Sequence, residues 1–380
     1  MRVAFIHPRF LALGGGEKVI ETLALIYPEA DIFAMFSAPE MVPLSLRNRT
    51  IYTTFLNKIP WTKTLHDNRW TKKLHNQLAV LYPLAIESLD LSAYDLVISS
   101  GGPATFGVGV SQHTLHVCYC LSPERGWWDQ YANKQHLSSL SSIRRLFYTA
   151  RTSYIRAWEF GAAQRVDHFI AISQYISQRI HKYFRRDSTV IYPPVDTTQG
   201  YISAAHDDYF LSVCRLVPAK RVDLLIHACN RLGRRLLVVG TGREEQRLKA
   251  LAGPTIEFLG YVPDAGLPEL YAHCRAFLFA ADEDFGIVPV EAQSYGRPVI
   301  AYGYGGSLET VRVGDAGGRS DTGVFFAEQT LESVVDGIQR FEACEARFIP
   351  TEIQQHARQF DTAVFLDQMR QFIDNAMRKE

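Results

Sequence analysis

Two glutamates and two cations carry the chemistry open to this chain. Glu283 and Glu291 stand eight positions apart in AFLFAADEDFGIVPVEAQSYGRPVIAYGYGG. The first lies in an acidic loop (Asp282, Glu283, Asp284) after the buried apolar run Phe277 to Ala280. The second lies near the start of a short helix that follows the Phe285-Gly286 turn and leads to a strand from Pro298 to Tyr302. Ligands of a parallel sheet sit beyond the carboxyl ends of its strands, so both carboxylates can face one pocket. Arg215 follows the strand in DYFLSVCRL, and Lys220 comes five residues later, at the start of a helix expected from Ala219 to Leu232. Two fixed cations at one strand end suit a diphosphate, the guanidinium gripping oxygens as a fork and the ammonium acting as a point charge.

Glycine turns stand where such a ligand would need bare backbone. Gly240, Thr241 and Gly242 follow the strand LLVVG and open a helix expected to run to Leu251, whose first N–H groups can bind phosphate. A single G-x-G is weak evidence, because it recurs as a plain tight turn. Arg215, Lys220, this turn and the turn at Phe285, Gly286 and Ile287, all at strand ends of one sheet, form a far more specific set. Near the amino terminus, Pro8 to Gly16 reads as a loop ending in three glycines before an amphipathic helix with Val19, Leu23 and Ile26 on one face. Taken alone, that GGG can equally be an unliganded turn.

Other chemistries fit less well. Asp282-Glu283-Asp284 could hold a divalent cation against a diphosphate, but Arg215 and Lys220 already give that charge partners, so no metal is expected. No G-x-S-x-G elbow points to a hydrolase, and the GGG lacks the G-x-G-x-x-G order of a nicotinamide site.

These residues need two α/β sheets to position them. Strands are expected at Val3 to Ile6, Asp31 to Phe36, Asp95 to Ser99, His116 to Cys120, Asp167 to Ser173 (with Ser173 capping a helix to Phe184) and Val190 to Tyr192. After Pro193-Pro194 the alternation restarts through DYFLSVCRL, LLVVG, IEFLG and the acidic-loop unit. Six strands separated by helices describe a doubly wound parallel sheet. The expected architecture is therefore two Rossmann-like α/β domains, residues 1–200 and 205–360, with an amphipathic tail helix at 361–380.

Two further stretches stand out. Lys58, Lys63, Arg69, Lys72 and Lys73 mix with Trp61, Trp70, Leu74 and Leu78, a pattern that fits an anionic membrane surface or an ordinary solvated helix. Arg125, Trp127, Trp128 and Asp129 form a loop suited to a sugar or headgroup on an acceptor, unless the tryptophans simply pack.

The 380 residues are 47% hydrophobic, enough for two cores, and 40 Lys and Arg balance 40 Asp and Glu, so nothing in the net charge argues for nucleic acid. No signal-peptide pattern or bilayer-length apolar run is present, and a cytoplasmic chain is expected. Six cysteines without metal-site spacing read as core residues.

In GGGEKV, SVCRLVPAKRVDLLI, VVGTGREEQRLKAL, FLGYVPD and above all EDFGIVPVEAQSYGRPVIAYGYGG, which carries a Glu-x7-Glu motif, the chain resembles retaining glycosyltransferase family 4. The resemblance covers almost the whole chain. It implies the GT-B fold, two Rossmann-like domains facing across a cleft, and within the family it is strongest to bacterial mannosyltransferases that use GDP-mannose to build O-antigen or exopolysaccharide on a lipid carrier. A UDP-sugar transferase, an inactive sugar-nucleotide-binding relative and a nucleotide-sugar epimerase remain alternatives. Carried over, Arg215 and Lys220 would hold the donor diphosphate, Glu291 the ribose, and Glu283 the donor sugar. The Phe285, Gly286 and Ile287 backbone would donate to phosphate or sugar oxygens. Gly15 and Gly16 would approach the diphosphate from the other domain, and Tyr261 and Val262 would lie by the nucleobase. The partners implied are a nucleotide sugar and a lipid-linked saccharide at the inner membrane face, with no metal cofactor. One departure matters: relatives often carry a histidine where this chain has Leu121. His116, five residues earlier, is a weak candidate to replace it.

Overall fold

The computed structural model describes residues 1–11, 14–59, 78–102, 104–129, 141–314 and 321–378. It separates into two compact units, Met1–Tyr192 with Leu366–Glu380, and Pro193–Phe365. The basic segment singled out above falls mainly at 60–77, outside the described residues.

In the first unit, β1 (Val3–Phe10), β2 (Asp31–Ser37), β3 (Ile51–Thr53), β4 (Leu96–Gly101), β5 (Leu115–Cys120), β6 (His168–Ala171) and β7 (Ser188–Val190) form one sheet in the order β3-β2-β1-β4-β5-β6-β7. Every pairing is parallel. Near-continuous apolar strands such as β1 and β4 are what a sheet covered on both faces requires. The first strand runs four residues beyond Ile6, through Pro8. Its last rung with β4 is Ile6↔Ser99, after which it pairs with β2 alone, so the missing N–H of Pro8 can face the side where the ladder has ended. The last strand ends at Val190, earlier than the expected Val190 to Tyr192.

In the second unit, β8 (Phe210–Val213), β9 (Leu236–Val239), β10 (Ile256–Gly260), β11 (Ala276–Phe279), β12 (Val299–Tyr302) and β13 (Gly323–Phe326) pair in the order β10-β9-β8-β11-β12-β13, again all parallel. Its core packs Phe210, Leu225, Leu236, Leu278, Ile300 and Phe341 on one side of the sheet and Leu211, Leu237, Phe277, Phe279 and Val299 on the other. Two sandwiched sheets of parallel strands make the expected doubly wound α/β class the fold of this chain.

Both strand orders reverse direction at one place, between β1 and β4 in the first unit and between β8 and β11 in the second. Helices leave the sheet to opposite faces there and open a crevice at the strands' carboxyl ends, where ligands of such folds bind. The final helix, Thr362–Met377, begins in the second unit and is counted with the first from Leu366, where Phe372 meets His168 edge to face at 5.7 Å.

Candidate functional site

The strands flanking the reversal in the second unit deliver the two halves of an ion pair. Past β8 the chain runs through Arg215 to Lys220; past β11 it runs through Asp282 to Asp284. The Lys220 ammonium donates to the Glu283 carboxylate across 63 positions of sequence. Both side chains are partly shielded, at 19% and 31% exposure, so the pair is felt more strongly than one on open surface. Arg215 is exposed and lies near enough to act on the same thiol: burial pushes Cys214 up to about 11, Lys220 and Arg215 pull it down, and Glu283 pushes it up. Three of the four sequence-predicted charged groups thus share one electrostatic neighbourhood.

Lys220 does not open a helix, as the sequence pattern suggested. Pro218–Lys220 is a single 3-10 turn, Arg221 adopts a left-handed backbone (φ 50°), and the helix starts at Val222. A left-handed non-glycine residue costs on the order of 1 kcal/mol. The kink breaks the helix just after Lys220 and leaves its side chain on the turn.

Gly240 and Gly242 are needed for close approach of backbone rather than as a helix start. Gly240 has φ +125°, and a Cβ there would fall 1.9 Å from the Cys214 carbonyl oxygen; one at Gly242 would fall 2.3 Å from that of Leu216. The Leu216 N–H donates to the Thr241 carbonyl at 2.9 Å. The turn is thus pressed against the segment that carries Arg215. The expectation that Gly242 begins a helix is corrected: the helix runs from Glu245 to Leu251, two residues past the turn.

The acidic loop is held by a second glycine pair. The Gly306 N–H donates to the Glu283 carbonyl at 2.9 Å, and side chains at Gly305 or Gly306 would strike Glu283 and Phe285 backbone. Gly286 is left-handed (φ +96°) at the cap of the helix Ile287–Ser294, and Phe285 is buried with its ring edge-on to Phe360 at 5.5 Å. Glu291 sits in the middle of that helix rather than near its start. It accepts from the Tyr271 hydroxyl at 2.8 Å, and burial, with the Glu291 charge, keeps that hydroxyl protonated far above its ordinary range. Glu291 is therefore oriented from the Tyr271 side, while Lys220 orients Glu283. After β10, Tyr261 projects into solvent at 73% exposure, and Val262 leans on the core.

In the first unit, Gly15 and Gly16 are the first residues of the helix Gly15–Ile26, capped by Gly14, instead of the end of a loop. A Cβ at Gly16 would lie 3.1 Å from the Leu121 side chain and 3.7 Å from the His7 ring. His7, in the middle of β1, is 1% exposed, its two ring nitrogens have no hydrogen-bond partner, and Glu17 stands 3.7 Å away. A buried polar group without a partner is costly unless something absent from the protein alone satisfies it. Sequence reasoning missed His7 because a histidine in an apolar strand looks like packing. It also missed Ser307, whose buried hydroxyl is unpartnered just after Gly305-Gly306.

The weak candidate His116 is corrected. It is wholly buried, its Nε2 is 2.9 Å from the Ser99 hydroxyl, and burial, aided by Arg165, lowers its pKa to about 3. It is a neutral core histidine with no surface to offer a substrate.

The stretch expected as an acceptor-facing loop is a helical turn, Arg125–Trp128, strapped to its own unit. Trp128 donates to Glu159 at 2.8 Å and stacks on Tyr183 at 5.1 Å; Trp127 leans on the core. Asp129 accepts from Tyr183 and from Arg179, a 5%-exposed arginine that also reaches the Ser122 hydroxyl at 2.7 Å. Arg125 lies 5.8 Å over the Tyr175 ring. Trp128 and Asp129 are occupied internally, so their polarity is explained by packing. Among the described residues no group of acidic, histidine or cysteine side chains could hold a metal ion.

Comparison with known proteins places this geometry. Residues 200–360, nearly all of the second unit, match the family model described as glycosyl transferases group 1. The chain is 38% identical over 113 residues to the GDP-mannose-dependent monoacylated alpha-(1-6)-phosphatidylinositol monomannoside mannosyltransferase of Corynebacterium glutamicum (26% of this chain, 30% of that one). It is 46% identical over 63 residues to O-antigen chain mannosyltransferase B of Escherichia coli (16% of each), and 27% identical over 213 residues to human alpha-1,3/1,6-mannosyltransferase ALG2 (46% and 50%). The chain spans half or less of the length of these relatives. Among solved structures, HepE of Anabaena in complex with UDP superposes with a TM-score of 0.69 at 18% identity, over 99% of this chain and 100% of that one. Sucrose-phosphate synthase of Thermosynechococcus elongatus gives 0.70 at 17% over the full length of both, so the fold is shared from end to end.

Proposed function

We propose that this chain, whose residues 200–360 match the glycosyl transferases group 1 model, is a retaining hexosyltransferase that moves mannose from GDP-mannose to a lipid-linked saccharide. The observation that carries the reading is the Lys220–Glu283 pair, brought together by the two strands that flank the sheet reversal. The named activities of the relatives, mannosyltransferases all three, support the sugar; two of those names also point to lipid or O-antigen acceptors.

In this reading Arg215 and Lys220 neutralise the diphosphate as it leaves, the electrostatic contribution that usually dominates such reactions. As phosphate engages Lys220, the Glu283 carboxylate is released toward the donor sugar, where it stabilises positive charge developing at the anomeric carbon. The bond from that carbon to the diphosphate oxygen breaks, the bond to the acceptor oxygen forms on the same face, and the acceptor's proton passes to the leaving phosphate. Such a route needs no histidine at 121. Glu291, steadied by Tyr271, takes the ribose hydroxyls, Tyr261 and Val262 border the base, and the backbone at Thr241–Gly242 and Gly286–Ile287 donates to phosphate oxygens, Gly240 serving the turn with its own N–H held by the Gly260 carbonyl. Within the first unit, Gly15 and Gly16 keep their proposed donor-binding role, and His7 is the polar group that stands beside Leu121 there.

The complex of HepE with UDP keeps a UDP-sugar donor as a second reading. A thermal-shift series with GDP, UDP and ADP separates them, because a ligand at one hundred times its Kd stabilises by about 2.7 kcal/mol. GDP alone should raise Tm if the first reading holds. A rise with UDP alone selects the second. Tight donor binding with no transfer of hexose to any acceptor, and so no release of nucleoside diphosphate, would favour a non-catalytic binding protein and sink both.

A further inference from the structure

The helix Ser142–Ala163 in the first unit packs the wrong way round for an ordinary surface helix. Thr152, Ile155, Glu159, Ala162 and Ala163 are its buried face. The opposite face repeats at helical spacing through Ile143, Leu146, Phe147, Ala150, Tyr154 and Ala157, and it is apolar and open to solvent. Ile143, Leu146 and Phe147 are 70%, 69% and 71% exposed, and Tyr154 51%. Isolated exposed apolar residues need no explanation, but a continuous stripe of about 20 Å does.

The charges beside the stripe say what covers it. Arg144 in the first turn and Arg151 two turns later border one edge of the stripe, Arg145 and Arg156 lie on the other side of the helix, and the helix has no lysine. Its sole acidic residue, Glu159, is buried on the far side against Trp128. An apolar face edged with arginine and free of exposed acid matches an anionic lipid surface: apolar side chains enter the acyl boundary while guanidinium groups stay with headgroup phosphates. Among the described residues no helix is long and apolar enough to cross a bilayer, so contact here would be in the plane of the surface.

We propose that this helix docks the protein on an anionic lipid bilayer through Ile143, Leu146, Phe147 and Tyr154, with Arg144 and Arg151 at the stripe's edge supplying the electrostatic part. The inference deepens the lipid-linked acceptor reading and rests on it for its purpose, but vesicle binding can be measured whether or not any sugar is transferred.

The test is flotation of the full chain with vesicles of phosphatidylcholine alone, or with about a third phosphatidylglycerol, at low and high salt. The wild type should float with anionic vesicles at least tenfold better than with neutral ones, and less at high salt. Leu146→Glu/Phe147→Glu should lose at least tenfold of that binding, and Arg144→Gln/Arg151→Gln severalfold, with the nucleotide-induced Tm shift intact in both. Equal flotation with both vesicle types, unchanged flotation of both variants, or a concentration-dependent dimer that Leu146→Glu/Phe147→Glu dissociates without any vesicle binding would each overturn the proposal. If the double glutamate variant fails to fold, the arginine variant decides.

Discussion

In the unliganded protein Lys220 is already engaged with Glu283, so a diphosphate must take the ammonium from a carboxylate. That competition gives two substitutions opposite signs. At about 4 Å and an effective dielectric near 20, a unit pair is worth about 4 kcal/mol; with the side chains 19% and 31% exposed, roughly half survives solvent screening, about 2 kcal/mol. Lys220→Ala removes the cation from the diphosphate and should weaken nucleoside diphosphate binding by about 30-fold. Glu283→Gln frees the ammonium and should leave that binding unchanged or tighten it severalfold, while sugar transfer falls by at least about 100-fold as the carboxylate at the anomeric carbon is lost. Isothermal titration of the wild type, both single variants and the double variant at fixed salt reads the first effect, and release of nucleoside diphosphate reads the second. The cycle should show a coupling between the two positions, because each substitution acts through the other's partner. Equal weakening by both substitutions, or a Kd within twofold of wild type for Lys220→Ala, would refute the assignment of Lys220 to the diphosphate.

Further outcomes follow from the geometry. Gly240→Ala forces a Cβ against the Cys214 carbonyl at a left-handed backbone, so chemical denaturation should show at least about 2 kcal/mol of lost stability, and nucleotide binding should fall with it. His7→Phe, a change of similar bulk, removes the polar group beside Leu121 and should lower transfer by about tenfold while nucleotide binding, held in the second unit, stays within twofold. Unchanged turnover would return His7 to a packing role. Burial raises Glu159 to about 8, so the folded state holds a proton that the unfolded chain releases near pH 4.5. The stabilisation is full below pH 4.5 and is lost as pH rises to about 8. Glu159→Gln keeps an acceptor for Trp128 and should flatten the fall of Tm between pH 5 and 8.

The alternation of apolar runs and helices made the doubly wound class legible, since a parallel sheet buried on both faces leaves so plain a pattern. Glycine marked turns but not their use. The G-T-G turn looks the same in sequence whether it starts a helix or lets backbone press on Cys214 and Leu216; the structure shows the second. Lys220 and Glu283 were each visible as residue types at strand ends, yet their bond joins segments 63 positions apart and depends on strand order, which local pattern does not encode. Tryptophans at 127 and 128 attract attention in a sequence because they are rare in loops; here Glu159 and Tyr183, from later helices, explain Trp128, and the core explains Trp127. The exposed stripe at 143–157 went unseen for a plainer reason. Helical periodicity shows that a face is apolar, and only the packing of Ile155 and Glu159 shows which face is turned inward.

If the carboxyl ends of β8 and β11 grip a nucleoside diphosphate, a structure of the protein with GDP or UDP bound will show it most directly. The pyrophosphate should lie within hydrogen-bonding distance of Arg215 and Lys220, the ribose on Glu291, and Glu283 should be released from the ammonium. A nucleotide bound elsewhere in the second unit, or a Lys220–Glu283 pair left intact beside it, would rule out that grip.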